Sequence, residues 1–493
     1  MAKKTSHGRT LTPLGAWALA FGSIVGWGAF IMPGTSFLPN GGPLGTAIGF
    51  GIGAGIMVLI AVNYRVMIRR FPRSGGSFVY AQEAFGTAHG FACGWFLVLA
   101  FVSFMAQNAA AIALISRNLM NHVLEFGFSY SVAGYRVSAG EVLVSLVLLA
   151  ILYVVAVRSR RLTYVLETLF VASMMVFLVV VAVVLVQNPG GLAACAPAFN
   201  PGKNPVTGTL VVLSMAPWAF LGFDVISQTA DEFTFPIRRA AGIMVAAILA
   251  GFLFYVLLTV LGAAVVPEGF AGWPDYVAAL GSLDGIRSVP VFNAVFTLMG
   301  ARGILLLDVA ALGAVLSGML GFGIGASRLL CAMADAGQLP SWTAFRHPRS
   351  GAPAHALLLA FIGAAIFQVL GRSVLTWVMD MSSVGAALSF LYTSAATWKY
   401  AKAEGRTALK VTGAVGAGLS AVFILLLVVP IPQVGASLGV ESLVFLAAWV
   451  VLGLNFYMPH RQKAPGEAEP SEFRVTDDAP REQMEPELRT DDE

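Results

Sequence analysis

Charge is scarce in this chain: 11% of its 493 residues are Asp, Glu, Lys or Arg, against 57% hydrophobic, and the mean hydropathy is +0.79. A soluble domain of that length needs far more polar surface, so that class is excluded. Cysteine is scarcer still, and Cys93, Cys195 and Cys331 supply neither a disulfide framework nor metal-ligand spacing. The six histidines, His7, His89, His122, His347, His355 and His460, all fall at termini or near the ends of apolar runs. A membrane-embedded enzyme would need His, Asp and Glu clustered within its spans. An ion channel would show a repeated pore-loop motif, and none is found. The first apolar segment begins near Leu14, lacks a small-residue cleavage site and runs directly into the second, so no cleavable secretory signal is expected.

Apolar sequence is what the chain has instead. About 20 apolar residues span a bilayer, and twelve such runs centre near residues 25, 55, 103, 149, 174, 220, 252, 316, 362, 387, 420 and 448. The expected fold is an all-α polytopic membrane protein of twelve transmembrane helices. With the N-terminus in the cytoplasm, 21 Lys and Arg fall in inner segments and six outside, a positive-inside bias. Both termini of a cytoplasmic-membrane protein are then expected inside. The formal net charge of +4 conceals a division, because residues 467–493 hold 11 acidic and three basic residues. That tail reads as disordered. The other 27 basic residues outnumber 15 acidic ones and belong to loops facing lipid headgroups, not nucleic acid.

The first run is interrupted by GSIVGWGAFIMPG, residues 22–34. A helix in lipid must satisfy its own backbone, so a break at membrane depth survives only where it packs in protein or lines a cavity. Gly22, Gly26 and Gly28 leave amides and carbonyls uncovered by side chains. The half-helix beginning near Gly28 directs its positive end at that place, suiting a carboxylate, while free carbonyls suit an amine or cation. The sixth run, APWAFLGFDVISQTADEF at 216–233, is interrupted too: Pro217 and Gly222 flank an aromatic pair, and Asp224 follows. One such segment is as readily a packing or kink device. Two at matching positions point to a secondary transporter built from inverted repeats. The expected division is a cytoplasmic segment 1–11, a five-helix repeat 12–189, a second inverted repeat 208–403, two appended helices within 408–458 joined by an outer turn at Pro430 and Pro432, and an acidic tail 461–493.

These motifs, with PRSGGSFVYAQEAFG at 72–86 and GASRLLCAMADAGQLP at 325–340, resemble in order those of the amino acid, polyamine and organocation superfamily. The resemblance covers most of residues 12–458. It implies two inverted five-helix repeats with broken first and sixth helices, moving amino acids or related amines by alternating access. It further implies that a substrate carboxylate meets the amides of Val25, Gly26, Trp27 and Gly28, and that an amino group meets carbonyls around Ser23, Ile24, Ala219 and Phe220. Trp218 matches the aromatic gate over the substrate, Phe223 is a second candidate, and Gln107 or Asn108 of the third run lines the pocket. Two departures stand out. Trp27 replaces a small hydroxyl residue, implying a smaller substrate, stacking on a cationic or aromatic one, or a tryptophan that faces lipid or packs helices. Asp231-Glu232 replaces a pair of glutamates, a change expected to matter little.

An acid at the bilayer centre costs about 3 kcal/mol on insertion scales. Asp224 therefore reads as a protonatable coupling residue, a brace for the helix break, or a capping acid met by local amides. Asp308 and Asp380 are the other intramembrane acids expected, each a vestibule or structural group. Sodium coupling would need eighth-run hydroxyls facing first-run carbonyls, where Ser317 alone is available, a poor cation cage. Ser382 and Ser383 read as packing hydroxyls. The fifth run, 162–187, lacks the buried lysine that replaces that cation in some relatives. Proton symport and substrate exchange stay open, with sodium least favoured. No cofactor or metal is expected, and the partners are a small amino acid or amine and the bilayer.

Overall fold

The computed structural model describes residues 9–119, 122–187, 190–429 and 438–463. Most of the acidic tail and the turn at Pro430 and Pro432 lie outside them. Helix α1 (Pro13–Ile24) starts where the Thr12 hydroxyl accepts from the Gly15 N–H at 3.1 Å and Pro13 takes the first position, where a missing N–H costs no hydrogen bond. It stops at Val25, whose φ of −99° and ψ of 80° leave the helical region. The chain resumes as α2 (Gly28–Met32) and winds through a wider turn at Pro33–Phe37 into α3 (Leu38–Arg70). After α4 (Gly76–Phe85) and α5 (Thr87–Leu119), a hairpin of β1 (Ser129–Val132) and β2 (Tyr135–Ser138) pairs Val132 with Tyr135.

Helix α6 (Ala139–Arg158) opens with a capping box of Ser138 and Glu141, and Arg117 of α5 grips the same Glu141 through two bonds of 2.6 and 2.7 Å. Helix α7 (Arg160–Gln187) follows. The second interrupted segment consists of α8 (Pro205–Ser214), α9 (Ala216–Ala219) and α10 (Val225–Gln228). Beyond it come α11 (Ala240–Ala264), α12 (Trp273–Ala279), α13 (Pro290–Asp335), α14 (Ala354–Ala403), α15 (Thr407–Val428) and α16 (Val440–Lys463).

Among the described residues nine helical stretches are long and apolar enough to cross a bilayer, and α1 and α8 are shorter apolar helices. At 1.5 Å per residue the 50 residues of α14 would reach about 75 Å, more than twice a hydrocarbon core. Non-helical Gly371 divides it into two lengths, 354–370 and 372–403. Apolar side chains exposed on α6 (Leu143, Val147, Ile151) and α7 (Leu169, Val176, Val179) face outward, as lipid requires and water forbids. Helix α1 is buried along most of its length, and it packs against α7, α10, α11 and α13. The chain is thus a helical, polytopic membrane protein with its first broken helix at the centre.

Candidate functional site

The two interruptions touch. Gly222 has a φ of 123°, a region that L side chains rarely adopt. A Cβ there would stand 2.5 Å from the Ser23 Cβ and 2.9 Å from the Ile24 amide nitrogen. Between them, the Tyr255 hydroxyl of α11 lies 2.8 Å from the Ile24 carbonyl and 3.0 Å from the Ala219 carbonyl. One phenol proton is thus shared between the two breaks, and each carbonyl keeps a second lone pair for another donor.

Of the four amides expected to meet a carboxylate, two are engaged. The Val25 N–H donates to the Phe21 carbonyl at 2.8 Å and the Trp27 N–H to Asn108 Oδ1 at 3.1 Å. That narrows the expected donors to Gly26 and Gly28. The third-run pair separates likewise: Asn108 reaches the break and also donates to its own helix at Phe104, while Gln107 is half-buried one residue earlier. Ser23 turns its hydroxyl back to the Leu19 carbonyl at 2.7 Å, leaving its backbone to the site.

Trp218 covers Gly28, its ring edge 3.0 Å from where a Cβ would stand, and leans on Phe104. Its indole N–H has no partner among the described residues. Phe223 is instead fully buried, stacked on Phe390 at 5.5 Å and edge-on to Tyr64, and Phe220 packs edge-on against Phe50 and Tyr255. The Trp27 indole is 3% exposed and lies between Phe30 and Phe292, so it does not face lipid.

Asp224 is fully buried at the end of the second break. Its Oδ1 accepts from the Gly222 N–H at 3.1 Å, and its Oδ2 has no partner among the described residues. It braces the turn with one oxygen only. The expected tally of intramembrane acids needs correction, because Glu167 of α7 is also fully buried. It accepts a hydrogen bond from Ser317 of α13, and a Cβ on Gly22 would stand 2.7 Å from its Oε1. Its Oε2 has no partner among the described residues. The signal was present: Glu167 sits in the apolar run TYVLETLFV with no basic residue three or four positions away. Tyr255, a lone phenol in apolar GFLFYVLL, was as visible, since a buried tyrosine hydroxyl needs an acceptor.

Asp308 is half-buried. Asp380, with Ser36, Met215, Met379 and Trp218, lines a cavity of about 270 Å³ at one end of the bundle. At the other end a cavity of about 580 Å³ is lined by charged residues including Arg73, Asp231, Glu232, Arg328 and Arg346. Of the acidic pair, Asp231 carries the exchange from glutamate, and Glu232, the unexchanged member, makes the contacts. It accepts from the Tyr164 hydroxyl at 2.7 Å and from Arg328 at 3.0 Å, with Arg160 at 3.4 Å. Its carbonyl takes the amides of Thr10 and Leu11. The three cysteines are free and buried, and no group of three potential metal ligands occurs among the described residues.

The sequence profile of the amino acid permease family matches residues 11–454. Over 400 residues the chain is 25% identical to an uncharacterized transporter of Mycobacterium tuberculosis, covering 81% of this chain and 82% of that protein. It is 23% identical over 419 residues to the branched-chain amino acid permease of Lactococcus lactis, with 81% and 83% covered. Against human cationic amino acid transporter 4 it is 24% identical over 311 residues, with 58% and 48% covered. These relatives are transporters and not enzymes. The chain belongs to the amino acid permease family, within the amino acid, polyamine and organocation superfamily.

Proposed function

We propose that this amino acid transporter is a secondary active carrier that works by alternating access, with amino acids or related amines as substrates. In this reading residues 12–189 and 208–403 are inverted five-helix repeats, the two lengths of α14 count as separate spans, and the total is twelve. The observation that carries it is the direct packing of the two helix breaks: Gly222 lies against Ser23 and Ile24, the Ile24 and Ala219 carbonyls meet at the Tyr255 hydroxyl, and Trp218 lies over Gly28. An α-amino acid carries the complementary carboxylate and ammonium on one carbon. Two of the relatives, a branched-chain amino acid permease and a cationic amino acid transporter, support that class.

Uptake into proteoliposomes across a panel of amino acids and biogenic amines, under imposed proton and sodium gradients, tests substrate and coupling together. Substrate-dependent counterflow is expected; its absence favours a channel or an enzyme. Proton symport and exchange are the favoured modes, and Asp224 and Glu167 are the candidate coupling acids. Gly26→Leu would place a side chain against Asn108, 2.6 Å from its Oδ1 at the Cβ alone. It is expected to abolish uptake while leaving expression and insertion intact. Wild-type uptake in that variant would remove this break from the binding site.

A further inference from the structure

Helix α3 ends in a cluster of arginines that the transport site does not use. Arg65, Arg69 and Arg70 recur with Val62 and Val66 at the spacing of a single helical face. Glu404 at the end of α14, and Arg406 and Leu409 at the start of α15, close the opposite wall of a cavity of about 380 Å³. Four guanidinium groups and one carboxylate line it. That carboxylate is taken: Glu404 pairs with Arg70, whose guanidinium lies 4.1 Å over the Tyr400 ring. Arg65 and Arg406 are exposed.

Apolar surface continues from this cluster toward the membrane interior. On α3 the same face carries Leu59 and Val58, both half-buried. On α15, Val415, adjacent to the Gly416 that faces Leu59, is 43% exposed. Leu59 approaches to 3.2 Å of the place a Gly416 Cβ would occupy, so α15 lies close against α3 along this strip. A free anion has no use for such a strip. A phospholipid does, because its charged headgroup sits at the helix ends and its acyl chains lie along the helices. Basic pockets between membrane helices favour anionic headgroups for the same reason.

We propose that this cavity binds one anionic phospholipid, its phosphate among Arg65, Arg69 and Arg406 and an acyl chain along Val62, Leu59 and Val415. A lipid seated there bridges α3 to the α14–α15 connection, away from the paired breaks.

The test uses the purified full-length protein in neutral detergent, titrated with phosphatidylglycerol, phosphatidylcholine or inorganic phosphate. Native mass spectrometry and thermal unfolding give the readouts. Phosphatidylglycerol is expected to be retained and to raise Tm, the other two not. In Arg65→Gln/Arg406→Gln its apparent affinity is expected to fall about tenfold or more, while Arg238→Gln/Arg239→Gln, another exposed arginine pair, keeps the wild-type value. Val62→Trp, which fills the strip and leaves every charge in place, is expected to displace the lipid as well. Unchanged affinity in the Arg65/Arg406 variant, equal loss in both arginine pairs, or equal stabilisation by inorganic phosphate would each overturn the proposal.

Discussion

A single hydroxyl ties the two interruptions together. Tyr255 shares its one O–H between a carbonyl in each, and nothing else about its ring is polar, so Tyr255→Phe removes that link while keeping the packing on Phe37 and Phe50. A hydrogen bond of this kind contributes about 0.5–1.5 kcal/mol net. Uptake is therefore expected to fall by roughly a factor of ten or less with protein yield unchanged, and wild-type uptake would show that the breaks hold their relation without it. The buried acids divide in the same residue-by-residue way. Asp224→Asn keeps an oxygen for the Gly222 N–H, and Glu167→Gln keeps one for the Ser317 hydroxyl, so each variant removes a titratable group with little loss of shape. Because Asp224 stands in the break itself, its variant is expected to flatten the pH dependence of net uptake while sparing exchange. A wild-type pH profile there, with a flattened one in Glu167→Gln, would move the coupling role to α7.

Broken helices are legible in a sequence because their cause is local. Glycine and proline at 22–34 and 216–222 announce that the helix cannot run through, whatever lies opposite. The groups that complete the site are not local. Asn108, Tyr255 and Glu167 are ordinary residues of apolar helices, and their meaning depends on which helix faces them across the bundle. Gln107 and Asn108 could not be told apart for that reason: adjacent residues point some 100° apart on a helix, and only the packed structure says which direction holds the break. The partners of Glu232 are illegible for the same reason, since Tyr164, Arg160 and Arg328 come from two helices distant in sequence. At the level of elements, the close approach of the two breaks predicts a sharp contrast between glycines. Gly222→Ala strains a positive φ and drives a methyl into Ser23, and a cost of about 1–3 kcal/mol is expected, with loss of uptake. Gly242→Ala near the start of α11 meets nothing within 4 Å and should hold or slightly raise the detergent Tm. Equal behaviour of the two variants would show that the breaks tolerate separation.

Across the whole molecule, cavities open at both ends of the bundle and neither passes through. One ends on Trp218 and the other on the Glu232 cluster, and between them Phe223, Asp224, Ser227 and Gln228 are fully buried. Under the proposed alternating access, something must hold the charged end shut. The cluster of Tyr164, Arg160 and Arg328 around Glu232 joins α7 and α13 to the end of the second broken segment, and through the Thr10 and Leu11 amides it also fixes the start of the first. Removing Glu232 itself would strand Arg328, a loss of about 3–5 kcal/mol that threatens the fold. Tyr164→Phe is the gentler probe, deleting one bond to a carboxylate worth about 1.5–3 kcal/mol. Cys331 lines the cavity on that side and is 3% exposed, so it reports opening directly in a Cys93→Ala/Cys195→Ala background. Its labelling by a membrane-impermeant maleimide from the arginine-rich face is expected to rise about tenfold in Tyr164→Phe, with the substrate-free Tm lowered by a few degrees and the thermal transition still cooperative. An unchanged labelling rate would mean that this end is held closed by apolar packing around Phe223 and not by the charged cluster.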